Sequence, residues 1–204
     1  MNIVVFGATG MVGKHLVKQG IFGGHHVKAF GRNVFTAEFP DNNSLELVQG
    51  TVFDEKQVAD AVSGADVVLS VLGGAFNGLD KSRSLGMKTI VESMEAKGVK
   101  RIVALGGMGS LNDPNGDYIL NSKTFPAQFV PVRREHFKAF EHLKRSQLSW
   151  TFVCPPDIID AEPTGTFITA ANTVPVPNSG RINAGDLALF MLKEATENKF
   201  MNAR

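Results

Sequence analysis

Apolar positions recur along this chain in two alternating rhythms. Short unbroken apolar runs of strand length are followed by stretches in which apolar residues return every three or four positions, the period of a helix with one buried face. The first run is Ile3-Val4-Val5-Phe6. Bounded by glycine, it suits a strand buried on both faces of a parallel sheet. Val12, Leu16 and Val17 then give a helix an apolar face, with Gly20, Gly23 and Gly24 as its end. Residues 25–30 carry Val27 and Phe30 and predict a second strand that runs out at Gly31-Arg32-Asn33. Residues 35–44 are polar, contain Pro40, and predict a loop or a ragged short helix. Leu45-Glu46-Leu47-Val48, closed by Gly50, is the third strand. Asp54 has the character of an N-cap, and Val58, Ala61 and Val62 form the stripe of a short helix that stops at Gly64.

Residues 65–72 are apolar but for Asp66 and Ser70 and predict a fourth strand ending in Gly73-Gly74. A helix over 82–97 sets Leu85, Thr89, Ile90, Val91 and Met94 on one side and stops at Gly98. The fifth strand, 99–105, runs into Gly106-Gly107-Met108-Gly109-Ser110. Periodicity fails over 111–131, where Asn112-Asp113-Pro114-Asn115-Gly116 is a turn. A helix over 132–146 turns Phe137, Phe140 and Leu143 inward, and a sixth strand, 150–153, is closed by Cys154-Pro155-Pro156-Asp157. Short extended pieces over 163–184 and a final helix over 186–195 complete the pattern. Such alternation implies right-handed crossovers and an α/β, Rossmann-like doubly wound parallel sheet. It predicts a single domain over 1–204, with a cofactor-binding core at 1–110 and substrate-side segments at 111–131 and 157–185.

Composition narrows the partners. The 204 residues carry 21 basic and 20 acidic side chains, intermixed, which leaves no field to recruit nucleic acid or a membrane surface. No apolar stretch approaches the ~20 residues of a membrane span, and no leader pattern opens the chain. The one cysteine, Cys154, gives neither a disulfide framework nor a metal cluster, and His15, His25 and His26 have no partners at metal spacing. His136 and His142 stand six apart and face different sides of their helix, with His136 on the side that could face the cofactor. No metal is expected. The reading is a cytoplasmic protein, monomer or small homo-oligomer, whose partner is a small molecule.

Candidate chemistry gathers at the predicted strand ends. In Gly7-Ala8-Thr9-Gly10-Met11-Val12-Gly13, Gly7 can take angles closed to other residues, Gly10 admits a pyrophosphate to the main chain, and Gly13 lets the helix pack on the strand. The unpaired N–H groups of the helix's first turn would face the phosphates. The alternative is a tight turn with no ligand. Arg32, a fork of donors with no carboxylate beside it, stands where an NAD-binding chain would carry an acid for the adenosine ribose. It predicts NADP(H), against the alternative of a surface arginine. Gly73-Gly74 and Gly106-Gly107 mark two further strand ends where a dinucleotide would pass. Phe125, Pro126 and Phe129 of the 111–131 loop offer a flat apolar wall or simply tack the loop down; Phe76 and Met108 join Phe125 and Pro126 as acceptor-side candidates. Cys154 reads as a small core residue rather than a nucleophile.

The glycine segment, Arg32, Val71-Leu72-Gly73, the run from Leu148 to Pro156 and Gly185-Asp186-Leu187-Ala188 together resemble the atypical short-chain dehydrogenases of the NAD(P)H-binding, NmrA-like superfamily. Within it the chain is most similar to the flavin reductase and biliverdin-IXβ reductase group, over 1–195. The resemblance implies NADPH along Gly7 to Gly13, with the 2′-phosphate on Arg32 next to Asn33 and the adenine beside Thr51, Val52 and Phe53. It puts the ribose near Leu72, Gly73 and Gly74, and the nicotinamide facing Leu105, Gly106, Gly107, Met108, Cys154, Pro155 and Pro156. The chain departs from the pattern in two places. Thr51 replaces the usual acid, and of the usual Tyr–Lys pair only Lys138 is present, because Arg134 occupies the Tyr position and the one tyrosine, Tyr118, lies in the loop. Lys138 either touches the nicotinamide ribose or is solvated surface.

Without that pair, reduction of simple ketones loses a general acid worth roughly 10²–10⁴-fold. A planar conjugated acceptor (flavin, quinone or tetrapyrrole) takes hydride with less need of one. The implied function is an NADPH-dependent oxidoreductase for such an acceptor. The alternative is a non-catalytic NADP(H) sensor of the NmrA-like type; the missing Tyr argues against a sugar-nucleotide epimerase.

Overall fold

The structure, a computed structural model, describes residues 1–122, 127–178 and 180–204, so the acceptor candidates Phe125 and Pro126 lie outside the described residues. Six parallel strands form one sheet in the order β3-β2-β1-β4-β5-β6: β1 (Asn2–Phe6), β2 (His26–Gly31), β3 (Leu45–Gln49), β4 (Val67–Ser70), β5 (Arg101–Leu105) and β6 (Ser149–Val153). The order reverses between β1 and β4, and ligands of open α/β sheets bind at the carboxyl ends beside such a reversal. The continuous apolar run of β1 serves both faces. Val4 and Phe6 join the core under α2 (Glu55–Val62), α3 (Ser84–Lys97) and α4 (Val130–Arg145), while Ile3 and Val5 join the core under α1 (Met11–Phe22) and α5 (Ala184–Glu197). Asp54 caps α2 as expected, accepting from the Gln57 N–H at 3.0 Å.

Two local expectations are corrected by packing. Gly20 does not end α1 but lies inside it: a Cβ there would come within 2.9 Å of Val27 Cγ2, so the glycine marks where the helix presses on β2, and α1 runs on to Phe22. Leu85 does not join the buried stripe of α3 and is 46% exposed. The close approach is made instead at Gly86, whose Cβ would stand 2.7 Å from Val52 Cγ2 and 2.9 Å from Leu72 Cδ1.

Beyond β6 the chain forms β7 (Asp157–Ile159) and β8 (Arg181–Asn183), a separate parallel pair that leads into α5. The intervening loop is tied to α5 through buried Asp186, which accepts from the Thr164 and Gly165 N–H groups at 2.8 and 2.7 Å and from Thr164 Oγ1 at 2.8 Å. No helix of the described residues is long and apolar enough to cross a membrane.

Candidate functional site

The turn from β1 into α1 separates three glycines by what holds them. Gly7 adopts φ +83°, and a Cβ on it would lie 2.5 Å from the Val71 carbonyl oxygen. A Cβ on Gly13 would lie 2.2 Å from the Gly7 carbonyl oxygen and 2.7 Å from that of Ala8. Backbone packing alone therefore requires glycine at both. Gly10 is the N-cap of α1 in extended conformation, and its nearest would-be neighbour is 3.3 Å away. No side chain caps α1 and its first turn holds no acid, so the N–H groups and the positive dipole end are left for an external anion.

That helix end opens on a cleft of about 590 Å³ across the carboxyl ends of β2, β1, β4 and β5. On the β2 side stand Gly31, Arg32, Gly50, Thr51, Val52 and Phe53; Gly7, Thr9, Gly10, Met11, Val12, Leu72, Gly73 and Gly74 line the middle; Phe76, Arg83, Leu105, Gly106, His136 and Ile158 line the β5 side. Gly73 has nothing within 4 Å of a would-be Cβ, so it leaves its part of the wall open. Arg32 is exposed, and its carbonyl accepts from Gln49 Nε2 at 2.9 Å, which ties the end of β2 to β3.

Other sequence candidates fall elsewhere. Ala8 and Gly13 are buried behind the turn, and Asn33 leads into the turn after β2. Gly107 does not line the cleft; its bare backbone makes room for the His136 ring, whose Cδ2 lies 3.2 Å from a would-be Cβ. Met108, Cys154 and Pro156 line a neighbouring cavity of about 490 Å³ with Phe167, Ile168, Pro175 and Ile182, and Pro155 adjoins a second opening of the same region. Burial pushes the Cys154 thiol up to about 12, which fits its reading as an inert core residue. Lys138 turns away to Glu135, 3.2 Å from Oε1, and Arg134 beside it is exposed. Glu135 is itself buried and also receives Lys81 at 3.0 Å and the Ser84 hydroxyl. Tyr118 packs against Phe137, 4.9 Å between ring centroids, under the Arg204 guanidinium.

Cleft residues absent from the sequence candidates are Phe30, Gly31, Gly50, Val71, Ser82, Arg83 and Ile158. The legible signal was Arg83, a cation at a helix start, where the dipole disfavours one. His136 is partly buried in the cleft wall. Burial first, and the nearby Arg83 charge second, lower its pKa from 6.5 to about 4. The ring is neutral at pH 7. Because the folded value lies below the unfolded one, this contribution to stability is complete above pH 6.5 and is lost as pH falls toward 4. His136→Asn is expected to flatten the decline in melting temperature across that window, which corresponds to about 2–3 kcal/mol in the parent protein.

Comparison with known proteins adds a family. A family model described as NAD(P)H-binding matches residues 7–198. The uncharacterised protein YwnB of Bacillus subtilis is 25% identical over 211 residues, which span 100% of this chain and 96% of that protein. A solved structure of a candidate exported protein from Burkholderia pseudomallei is 30% identical with a TM-score of 0.84, over 100% of this chain and 97% of that one. A candidate NADH-flavin reductase from Streptococcus pneumoniae is 25% identical with a TM-score of 0.85, again over 100% of this chain and 97% of that one.

Proposed function

The chain belongs to the NAD(P)H-binding family, in the NmrA-like, atypical short-chain dehydrogenase superfamily, and from that membership we propose an NADPH-dependent oxidoreductase acting on a planar conjugated acceptor. The observation that carries this reading is the cleft itself: an uncapped helix N-terminus at its centre, a free-standing arginine at the end of β2, and an apolar cavity beside its β5 end. The residues present fit a dinucleotide, because Gly10 and Gly73 leave open the spaces that side chains would fill. When bound, NADPH supplies the hydride.

The chain's own residues do the holding. The N–H groups at Met11 and Val12 would bind the pyrophosphate, Arg32 the 2′-phosphate, and Thr51, Val52 and Phe53 would border the adenine, while the Gly10 N–H holds the turn by donating to the Gly7 carbonyl at 3.0 Å. Leu105, Gly106 and neutral His136 would border the nicotinamide, and the described parts of the substrate-side segments, 111–122, 127–131, 157–178 and 180–185, would border the acceptor. The name of the Streptococcus relative supports a flavin as one such acceptor. No tyrosine reaches the cleft, Lys138 is engaged by Glu135, and Cys154 stays protonated, so the reading assigns the chain positioning rather than proton donation. A cytosolic setting, where NADPH is kept reduced, suits it.

Calorimetry with NADPH and NADH, followed by loss of nicotinamide absorbance on adding a flavin or quinone, tests the reading. Tight binding with turnover is expected. Tight binding without turnover of any planar acceptor would instead make the protein an NADP(H) sensor. Arg32→Ala is expected to weaken NADPH by about 1.5–3 kcal/mol, the worth of a hydrogen bond to a charged group, and NADH far less. Equal losses for the two cofactors would remove the 2′-phosphate from Arg32.

A further inference from the structure

Arg83 and Arg32 are the two cations among the residues lining the cleft, and they stand at opposite ends of it. Arg83 occupies the N-cap of α3 with only 6% of its surface exposed. Its Nη2 donates to the Gly74 carbonyl at 2.9 Å and its Nη1 to the Ala75 carbonyl at 3.2 Å, while Nε is buried without a partner. Asp80 and Glu135 act on it only through space. The Asp80 oxygens accept from the Ser82 and Ala75 N–H groups at 2.8 and 3.3 Å, and Glu135 is taken up by Lys81, Lys138 and Ser84. Among the described residues no carboxylate forms an ion pair with Arg83. Burial disfavours its charge, as does the positive end of α3. Beside it Phe76 stands 64% exposed, its ring centroid 5.9 Å from the guanidinium carbon.

An exposed flat ring next to a buried cation with spare donor capacity matches one kind of guest. An anion arriving there would offset the penalty that burial and the helix end both impose on the guanidinium, and a conjugated ring attached to it would lie against Phe76. We propose that Arg83 and Phe76 form an anion-recognising acceptor subsite, so that the acceptor is a planar conjugated molecule bearing an ionised carboxylate or phosphate rather than a neutral one. His136 at this end is neutral and supplies no second charge, and Lys81 and Lys138 are held by Glu135. The inference rests on the reductase reading and narrows its acceptor.

Two pairs of probes share a ring system and differ in charge: flavin mononucleotide against riboflavin, and biliverdin against its dimethyl ester. Binding of each to the protein saturated with NADP+, read by flavin fluorescence quenching or tetrapyrrole absorbance, needs no turnover. At least one anionic member is expected to bind about tenfold or more tightly than its neutral counterpart. A preference confined to the flavin pair assigns a phosphate, and one confined to the tetrapyrrole pair a carboxylate. With each protein saturated with NADP+ at its own affinity, Arg83→Gln should bring the ratio to within about threefold, and Arg83→Lys, which keeps the charge without the fork, should fall between. Equal binding of both members of both pairs by the unmodified protein would overturn the proposal without any variant, as would no binding of any of the four. A charge preference that persists undiminished in a folded Arg83→Gln protein would also overturn it, since the anion would then be recognised elsewhere. Charge-selective binding with no NADPH oxidation would leave the subsite standing and overturn the reductase reading instead.

Discussion

Gly13→Ala is expected to destabilise the protein by about 3 kcal/mol or more, while Gly10→Ala costs only about 1 kcal/mol and abolishes most dinucleotide affinity. The two glycines stand three residues apart in one motif and do different work. A methyl on Gly13 would overlap the Gly7 carbonyl oxygen at 2.2 Å and the Ala8 carbonyl carbon at 2.8 Å. These are backbone atoms of the turn itself, so no rotamer change can relieve the overlap. Relief requires α1 to slide away from the sheet, which opens its seam with β1 and the buried contacts of Val12, Leu16 and Val17. A methyl on Gly10 meets only the Gly7 carbonyl oxygen at 3.3 Å, and φ −77° with ψ 171° suits alanine. It projects instead onto the uncapped N–H groups, where it would hold a phosphate away. Chemical denaturation of the free proteins, paired with calorimetric titration of NADPH, separates the two. Equal stability losses would mean that the turn is strained as a unit and that Gly10 is no evidence of a ligand.

The second large effect lies on the far side of the sheet from the cleft. Glu194→Ala is expected to lower stability by about 3–5 kcal/mol, the range for removing one partner of a buried ion pair. Glu194 in α5 is 2% exposed, and its Oε1 lies 2.8 Å from Arg101 Nη2. The same oxygen accepts from Thr151 Oγ1 at 2.9 Å and the Phe200 N–H at 3.0 Å, and Oε2 accepts from the Lys199 N–H at 3.1 Å. One carboxylate thus joins β5, β6 and the turn after α5. Removing it strands Arg101, whose guanidinium burial already holds below its usual value, and frees the turn that lays Ala203 beside β6. Replacing both partners, Arg101→Met with Glu194→Leu, should recover much of the loss, because the desolvation of two charges disappears with the pair. Melting curves of the single and double variants check this. A single variant within about 1 kcal/mol of the parent would show that the pair is not dry in solution.

How far the chain could be read without its fold depended on the range of the physics involved. The strands, the helices and their alternation follow from local periodicity, since burial of one helix face or both strand faces leaves its mark within a few residues. The glycine turn after β1, the Asp54 cap and Arg32 at the end of β2 are equally local, because each depends on neighbours inside a single turn. These determined the Rossmann-like class and most of the cleft, from Gly7 through Phe53 to Gly106.

Other features were decided only when separate elements met. Gly20 looked like a stop, but it marks the close approach of α1 to β2, as Gly86 marks that of α3 to Val52 and Leu72. Cys154 and Pro156 end a strand as expected, yet β7 and β8 carry the chain away so that both line the neighbouring cavity and Ile158 reaches the cleft. Lys138 sits where a catalytic lysine would, but Glu135 one turn earlier on the same helix pairs with it, and the packing of α4 against α3 is what buries that carboxylate beside Ser84. Arg83 and His136 are far apart in sequence and become one wall of the cleft through that same packing. Local sequence determined which backbone can receive a dinucleotide, because a strand, a turn and a helix start are built from adjacent residues. Which side chains face it was decided by tertiary structure, because the sheet order and the helix packing set which distant residues share the cleft.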